Sequence, residues 1–245
     1  MNSPMRGLGQ AARIRLELKR QIDSGLLAVG AKLPSERELA ALFDTTRITL
    51  KEALQSLEAE GCLYREDRRG WFVAPPRLRY RLERDSHFQG MADAQQRLAA
   101  TRVLAAGLTL ASPEQCRDLA MAPLSQVLQI RRLRSLDGRV VLYAEHYLRP
   151  ERFPGILQLD LSQSLTRLYR QHYGLDYGHV AFDICPGAAR GAVAQALMLA
   201  EGSPILLIKR VNRDRRGQLL DCDYEYWRHD AVHLSLHSGE PPPAV

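Results

Sequence analysis

Apolar residues near the start of the chain recur every three or four positions, which is the spacing of one helix face. The set is Ala11, Ile14, Leu18 and Ile22. Polar and basic residues fill the positions between them, and Gly25 follows at a point where a helix could end, because glycine tolerates the left-handed backbone of a helix terminus. This pattern predicts an amphipathic helix that ends near Gly25.

A second and a third helix are predicted in close succession. Ser35 and Glu38 have the S-x-x-E spacing at which each side chain accepts a hydrogen bond from a free amide of a first helical turn. A few positions later, residues 44–46 are able to cap another helix. The apolar face of that helix is Leu50, Ala53, Leu54 and Leu57. Two short helices joined by a brief turn have helix-turn-helix geometry.

Two strand-like segments come next. Residues 62–66 and 71–73 flank residues 67–70, whose charged residues and glycine are typical of a hairpin turn. The segment therefore predicts a β-wing that carries Arg68 and Arg69 at its tip.

The rest of the chain mixes strand-like and helix-like segments. Pro75 and Pro76 interrupt regular structure, and we predict a linker over residues 75–90. Strands are predicted at 101–111, 127–135, 140–148, 180–184, 205–213 and 218–227, and helices at the Ser112 cap, 162–173 and 188–199. Turn residues at 137–138 and 214–217 predict two hairpins. This order predicts an α+β fold with a mainly antiparallel sheet.

The predicted domain boundaries follow from these segments. Residues 1–74 form the winged helix-turn-helix, 75–90 the linker, 91–238 a second domain and 239–245 a tail.

Charge adds a reason to examine the first third of the chain. The 245 residues carry 34 Lys and Arg against 28 Asp and Glu, a formal net charge of +6, within an ordinary globular composition that excludes disorder. Residues 1–80 hold 14 basic and 10 acidic side chains. A local surplus of positive charge suits a polyanionic partner such as nucleic acid.

The sequence offers little sign of other chemistry. Cys62, Cys116, Cys185 and Cys222 are far apart, which predicts neither a zinc site nor a disulfide framework. The chain has no phosphate-binding loop, nucleophile-elbow motif or paired-histidine metal motif. We therefore predict no cofactor and no metal. Since no signal peptide or long apolar stretch is seen, we expect a cytoplasmic protein that does not enter the membrane.

Fixed positions across residues 25–73 carry a resemblance to a known family. They are Gly25, Gly30, 33–37, Leu39, Ala40, Phe43, Arg47, Thr49, Leu50, 52–54, Leu57, Gly61, Gly70, Phe72 and Val73. This run resembles the winged helix-turn-helix of GntR-family bacterial regulators. The resemblance implies double-stranded operator DNA as a partner, read as an inverted repeat by a homodimer.

The same resemblance implies which residues contact DNA. They are Arg37, Arg47, Thr49 and Gly70, and from their own positions we add Ile48 on the third helix and Arg68 and Arg69 at the wing tip to the predicted contacts. Arginine can clamp a phosphate or read guanine with two hydrogen bonds, and Ile48 could touch a thymine methyl group. The alternatives are a solvated helix face with ion pairs for Arg37 and Arg47, and simple solubility of the wing for its two arginines.

The second domain also resembles a known family. The positions are 132–134, 137–138, Glu145, Tyr147, Leu148, 153–154, 164–165, 173–174, Asp221 and 226–228. They are similar to the UTRA effector domain of the HutC subfamily, which implies a chorismate-lyase-like fold. The effector contacts that this resemblance implies are Arg132, Arg134, Glu145, Ser164, Asp221 and Trp227.

The residue types suit an anionic effector that also carries a cation. Arg132 and Arg134 are two apart on a predicted strand and so share a face, and guanidinium groups match phosphate or phosphonate oxygens. On the last predicted strand Asp221, Asp223, Glu225 and Trp227 also share a face, which offers carboxylates to an ammonium group. The alternatives are cross-strand ion pairs for the charged residues and a core position for the indole.

Three further segments narrow the expected effector. Residues 45–49, 67–73 and 223–230 resemble those of regulators of 2-aminoethylphosphonate use. We expect a regulator of a catabolic operon, and a repressor rather than an activator. We expect this regulator to respond to 2-aminoethylphosphonate or a related phosphonate. A phosphosugar or an amino-acid-derived effector remains open, and the alternative from another class is a chorismate-lyase-like enzyme.

Overall fold

The structure is a computed structural model that describes residues 8–83 and 87–236. The chain divides after Arg77 into two compact units, with the short segment Met198–Ala200 grouped with the first. Each unit is described separately below. The predicted tail, 239–245, lies outside the described residues, as do 1–7 and 84–86.

The first unit contains three helices and a two-stranded hairpin. They are α1 (Gln10–Asp23), α2 (Glu36–Leu42), α3 (Arg47–Ala59), β1 (Leu63–Glu66) and β2 (Gly70–Val73). The capping box at α2 forms as predicted, because Ser35 Oγ accepts from the amide of Glu38 while Glu38 Oε2 accepts from the amide of Ser35. Gly25 follows α1 with φ +77°, which confirms the predicted helix end.

One apolar cluster holds these elements together. The α1 face contributes Ile14 and Leu18, and the predicted α3 stripe is buried against it. Leu50, Leu54 and Leu57 have no exposed surface. Burial of such side chains stabilises a fold by about 1.5–3 kcal/mol each. The other residues of α3 lie outside this buried cluster.

The second unit is built on a six-stranded antiparallel sheet in the order β4-β5-β6-β9-β8-β7. Its strands are β4 (Ala99–Leu110), β5 (Gln126–Leu136), β6 (Arg139–Leu148), β7 (Tyr177–Ala188), β8 (Pro204–Asp214) and β9 (Leu219–Arg228). The helices are α4 (Phe88–Asp93), α5 (Pro113–Asp118), α6 (Leu165–Leu168) and α7 (Gly191–Ala196), with a π-helical turn at Tyr169–Tyr173. Both predicted hairpins form. The α+β class with a mainly antiparallel sheet is confirmed.

The stretch predicted as a linker contains regular structure. Strand β3 (Leu78–Arg81) pairs in parallel with β10 (Val232–Ser235), and Leu78 and Tyr80 have no exposed surface. The alternation of basic and apolar residues in this stretch is the period of a half-buried strand. Part of residues 75–90 therefore belongs to the core of the second unit.

The predicted helix at 162–173 starts later than expected. Ser164 caps it, α6 has four residues, and a π-helical turn continues to Tyr173. The loop before Ser164 is thereby free to form part of a cavity wall.

Candidate nucleic-acid interface and effector cavity

The start of α3 presents polar and apolar side chains to solvent. Thr46 Oγ1 accepts from the amide of Thr49 at 3.2 Å and lies 3.0 Å from the Thr49 hydroxyl, which fixes the first turn. Arg47 is exposed, and Ile48 is 82% exposed, unusual for a large apolar residue. An exposed isoleucine next to an exposed arginine fits a surface that is covered when a partner binds.

The alternative for Arg37 and Arg47 was a solvated helix face with ion pairs, and the structure shows no such pairs for either residue within the described ranges. Both side chains are exposed, and within residues 8–83 and 87–236 neither forms an ion pair. Their guanidinium groups are therefore available for phosphate or base contacts.

The two arginines at the wing tip differ in exposure and in their contacts. Arg68 has φ +58° and its side chain is 92% exposed, with Asp67 at 3.6 Å. Arg69 pairs with the buried carboxylate of Glu66 at 2.5 Å and lies 5.6 Å from the centre of the Phe72 ring. Arg68 is the freer cation, because part of the charge of Arg69 is neutralised within the wing.

Gly70 and Lys32 complete this surface. Gly70 has φ +100°, a conformation that side chains rarely adopt, so glycine permits the turn into β2. Lys32 pairs with Phe72 through an isolated bridge, and its Cε lies 3.7 Å from the position of a Cβ on Gly70. Lys32 was not predicted as a site residue, and no local motif indicates it, since the bridge joins residues 40 apart.

The second unit contains a cavity of about 840 Å³ beside β5 and α6. Its lining is rich in hydroxyl, amide and cationic groups: His87, Phe88, Gln89, Asp93, Thr101, Arg132, Arg134, Ser162, Gln163, Ser164, Thr166, Arg167, Arg170 and Gln171. Three of the six predicted effector residues, Arg132, Arg134 and Ser164, are brought together here. The four arginines against one carboxylate favour an anionic ligand.

Arg132 is held firmly in the cavity wall. Its Nε and Nη2 donate to His146 Nε2 at 3.1 and 2.8 Å, and its Nη1 donates to the carbonyl of Gln163 at 2.9 Å. The side chain is 2% exposed. Burial lowers the pKa of Arg132 to about 9, which leaves it charged at neutral pH.

Of the two arginines on β5, Arg134 has fewer of its hydrogen-bond donors paired. It is 8% exposed, and its buried Nε has no hydrogen-bond partner among the described residues. Its guanidinium lies 5.1 Å from the centre of the Phe88 ring. Burial lowers the pKa of Arg134, while the nearby charges of Glu225 and Asp223 oppose that shift. A buried cation with an unused donor is costly unless a ligand supplies the acceptor.

The acidic residues of β9 lie beneath the cavity. The expected shared face forms, but none of these carboxylates lines the cavity. Asp221 accepts from the hydroxyls of Tyr169 at 2.7 Å and Tyr177 at 3.0 Å, and it has no exposed surface. Burial raises the pKa of Asp221 to about 7, and the neighbouring charge of Asp223 adds to the shift. Asp221 was predicted to contact the effector, but it does not line this cavity.

Trp227 is a core residue. It has no exposed surface, its indole N–H donates to Glu225 Oε2 at 2.9 Å, and it packs against Tyr80 and Phe88. Its ring centre is 6.1 Å from that of Phe88, which does line the cavity. The core alternative describes its position.

Glu145 lies on the face of the sheet opposite to Arg132 and Arg134. It stands across from Arg131, and its carboxylate accepts from the hydroxyls of Tyr143 and Tyr147 at 3.0 Å each. A β-bulge between Arg134 and Ser135 shifts the pairing by one residue. Because side chains alternate between faces, that shift moves Glu145 away from the cavity.

Several lining residues were not predicted. His87, Phe88, Gln89 and Asp93 come from α4, part of which was assigned to the linker. Arg167 and Arg170 come from the α6 region and are exposed. Their spacing of three on a helical segment places them on one side, which is a signal that the sequence did contain.

Other features of the described residues add no further chemistry. No group of three or more metal-ligating side chains is found there. Within the same ranges, no helix is both long enough and apolar enough to cross a membrane.

Comparison with known proteins identifies the family of the chain. The sequence model for the family described as "Bacterial regulatory proteins, gntR family" matches residues 10–73, and that of the UTRA domain matches residues 94–233. The chain belongs to the GntR family of transcriptional regulators and carries a UTRA domain. As a GntR regulator it is a DNA-binding protein that responds to a small molecule, and not an enzyme.

Individual relatives cover nearly the whole chain. The uncharacterized HTH-type transcriptional regulator YihL of Escherichia coli K12 is 33% identical over 90% of this chain and 94% of its own length. The HTH-type transcriptional repressor PhnF of Mycolicibacterium smegmatis is 30% identical over 89% of this chain and 88% of its own. The crystal structure of PhnF from Mycobacterium smegmatis has a TM-score of 0.65, with 26% identity, over 92% of this chain and all of that one.

Proposed function

We propose that this GntR regulator represses a catabolic operon in the cytoplasm and that a small metabolite bearing a phosphonate or phosphate group releases it. The observation that carries the proposal is Arg134, a buried guanidinium in the cavity wall whose Nε lacks a partner among the described residues. A dianionic oxygen cluster supplies the missing acceptor. Relatives named as repressors, PhnF and NagR of Bacillus subtilis, support the direction of control.

The first candidate effector is 2-aminoethylphosphonate. Its phosphonate would face Arg134, with Arg167 and Arg170 close by. Asp93 is the one carboxylate in the lining, and its contact within the described residues is with Gln89 at 2.8 Å. An ammonium group therefore has a single partner available.

The second candidate is a phosphosugar, and a different observation favours it. A volume of about 840 Å³ is far larger than 2-aminoethylphosphonate requires, and it lies within the usual range for pockets that hold larger ligands. The lining also offers many hydroxyl and amide side chains, which pair with sugar hydroxyl groups. These are Gln89, Thr101, Ser162, Gln163, Ser164, Thr166 and Gln171.

Isothermal titration separates these candidates. The full-length protein is titrated with 2-aminoethylphosphonate, glucose 6-phosphate, N-acetylglucosamine 6-phosphate and inorganic phosphate. For Arg134→Gln we expect about a tenfold or greater loss of affinity for whichever anion binds, because a charge-assisted hydrogen bond disappears. The matched control is Arg216→Gln, an exposed arginine on the β8–β9 turn. Undiminished affinity in Arg134→Gln would remove this residue from the site.

The DNA contacts are proposed for Arg37, Arg47, Ile48, Thr49 and the wing residues. An operator is first selected from a randomised duplex pool with the full-length protein. Arg47→Ala should then lose about 1–3 kcal/mol of specific affinity if it reads a base edge. Arg20→Ala, an exposed arginine of α1 paired with Glu17, is the matched control. Equal affinities in a gel-shift assay would contradict the role of Arg47.

We also propose that the protein is a homodimer and that β4 forms the contact. It is one of the two outer strands of the six-stranded sheet, and Arg102 is the one charged residue in its twelve. Leu108 and Leu110 on this strand are 55% and 59% exposed, and Leu124 beside it is 81% exposed. A long apolar edge invites pairing with another strand, and two identical strands complement each other in antiparallel order.

A further inference from the structure

The hydrogen bonds of Arg132 leave little of it for an effector. Two of its nitrogens are bound to His146, and the third donates to the carbonyl of Gln163 at 2.9 Å and towards that of Leu161 at 3.4 Å. Those carbonyls belong to the loop that leads to Ser164. Arg132 therefore ties the loop to β5, and the position of the loop depends on where the guanidinium is held.

His146 is fixed in a single protonation state by its neighbours. Arginine only donates, so His146 Nε2 must accept from Arg132. The proton then lies on Nδ1, which donates to Asp223 Oδ1 at 2.5 Å. Burial lowers the pKa of His146 to about 4, and the charge of Arg132 acts in the same direction, so the ring is neutral at physiological pH.

Asp223 is itself held from its other side. Asn212 Nδ2 donates to Asp223 Oδ2 at 3.0 Å and to Asp221 Oδ1 at 2.6 Å. Every member of this row is at least nine-tenths buried, and none but Arg132 lines the cavity. Apart from Asn212 Oδ1, which has no partner among the described residues, the hydrogen bonds of this row are made, and moving one member would leave another unpaired.

We propose that His146 is a positioning residue of the effector cavity: held in one tautomer by Asp223, it orients Arg132, which in turn holds the loop 161–164 against β5. The inference rests on the proposed effector site and adds to it a residue that touches no ligand. Anion binding falls to Arg134 and the loop side chains, while Arg132 acts as the clamp. Ser162, Gln163 and Ser164 of this loop line the cavity.

The test compares two substitutions of His146 in the full-length protein, with inorganic phosphate as the probe. His146→Leu removes the two hydrogen bonds from Arg132 and the one to Asp223, and we expect about a tenfold or greater loss of phosphate affinity. His146→Gln can accept from Arg132 with its oxygen and donate to Asp223 with its amide, so affinity should return to within about threefold of the parent. Rescue by Gln separates positioning from simple loss of stability.

Val127→Ala controls for destabilisation. Val127 is fully buried in a different apolar cluster, so its truncation weakens the fold without touching Arg132. Its phosphate affinity should equal that of the parent protein. If His146→Leu also binds phosphate as the parent does, or if His146→Gln is as weak as His146→Leu, the inference is overturned.

A spectroscopic readout tests the tautomer independently. In ¹⁵N-histidine-labelled protein at pH 7, the signals that disappear in His146→Gln should belong to a neutral ring protonated on Nδ1. An imidazolium ring, or a proton on Nε2, would contradict the arrangement. A different result would refute the proposed effector site itself: a folded parent protein that binds none of the anions tested.

Discussion

Replacing Asp221 with Asn should make the second unit more stable above neutral pH. Asp221 is fully buried, and its carboxyl group accepts hydrogen bonds from Tyr169, Tyr177 and Asn212. Burial raises the pKa of Asp221 from 3.8 to about 7. An asparagine has nearly the shape of the protonated acid. With its oxygen towards Asn212 it can still accept that hydrogen bond, and its two N–H donors then face the hydroxyls of Tyr169 and Tyr177, which can accept, so it should replace the protonated form with little loss.

The magnitude follows from proton linkage. Between pH 3.8 and about 7 the folded state binds a proton on Asp221 that the unfolded state has released, so the free energy of unfolding falls as pH rises. A difference of about 3 pKa units corresponds to about 4 kcal/mol, of which about 3 kcal/mol falls between pH 5 and pH 8. Asp221→Asn lacks this loss. The variant should therefore gain about 3 kcal/mol relative to the parent over that interval.

Urea unfolding of the full-length chain measures the effect. Trp71 lies in the first unit and Trp227 in the second, so a Trp71→Phe background lets fluorescence report the second unit alone. Asp183→Asn, an exposed residue of β7, serves as the control and should show no such trend. A difference between Asp221→Asn and the parent that stays constant from pH 5 to pH 8 would refute the reasoning about Asp221.

Two further predictions concern the helix cap and the outer strand. Ser35→Ala should lower the stability of the first unit by about 1 kcal/mol, measured by thermal unfolding, because the hydroxyl that accepts from the amide of Glu38 is lost. An unchanged melting temperature would mean that this half of the cap contributes nothing. Leu108→Arg should shift the protein from dimer to monomer in sedimentation velocity, because it places charge on the apolar edge of β4. Leu26→Arg, at a leucine that is 77% exposed in the first unit, should leave the dimer intact, and a dimeric Leu108→Arg would exclude this part of β4.

The first unit could be predicted closely because its signals are local. The Ser35 cap, the Thr46 cap and the hairpin at the wing each depend on residues within a few positions of one another. The apolar stripe of α3 has the same property. The approach of Lys32 to the wing was not predicted, because it depends on a bridge between residues that are distant in sequence.

The linker was mispredicted for the opposite reason. Strand β3 alternates buried and exposed residues, as the sequence suggested, but its partner β10 lies about 150 residues further along the chain. Two prolines before it were a strong local sign of irregular structure. A short strand whose partner is remote gives little indication of itself until the pairing is known.

Glu145 shows how one residue of register changes a site. In the hairpin between β5 and β6, Leu136 faces Arg139, and unbroken pairing from there would place Glu145 opposite Ile130, on the face of Arg132 and Arg134. The bulge after Arg134 shifts it opposite Arg131 instead. Turn chemistry predicts the start of the register but not a bulge within the strand.

The buried carboxylates of β9 have a role that the sequence pattern did not indicate, because they act on the charge of Arg134. Asp223 and Glu225 were considered as partners of an ammonium group, yet both are buried beneath the cavity, and both favour the charged form of Arg134. These counter-charges share the sheet face of the arginines and keep them ionised, while neither carboxylate lines the cavity itself. An anion that reaches Arg134 meets a cation with an unused Nε donor, whereas Arg170 is already paired with Asp176 at 2.6 Å. This arrangement favours an effector whose recognised group is the phosphonate or phosphate, with any ammonium group left to Asp93.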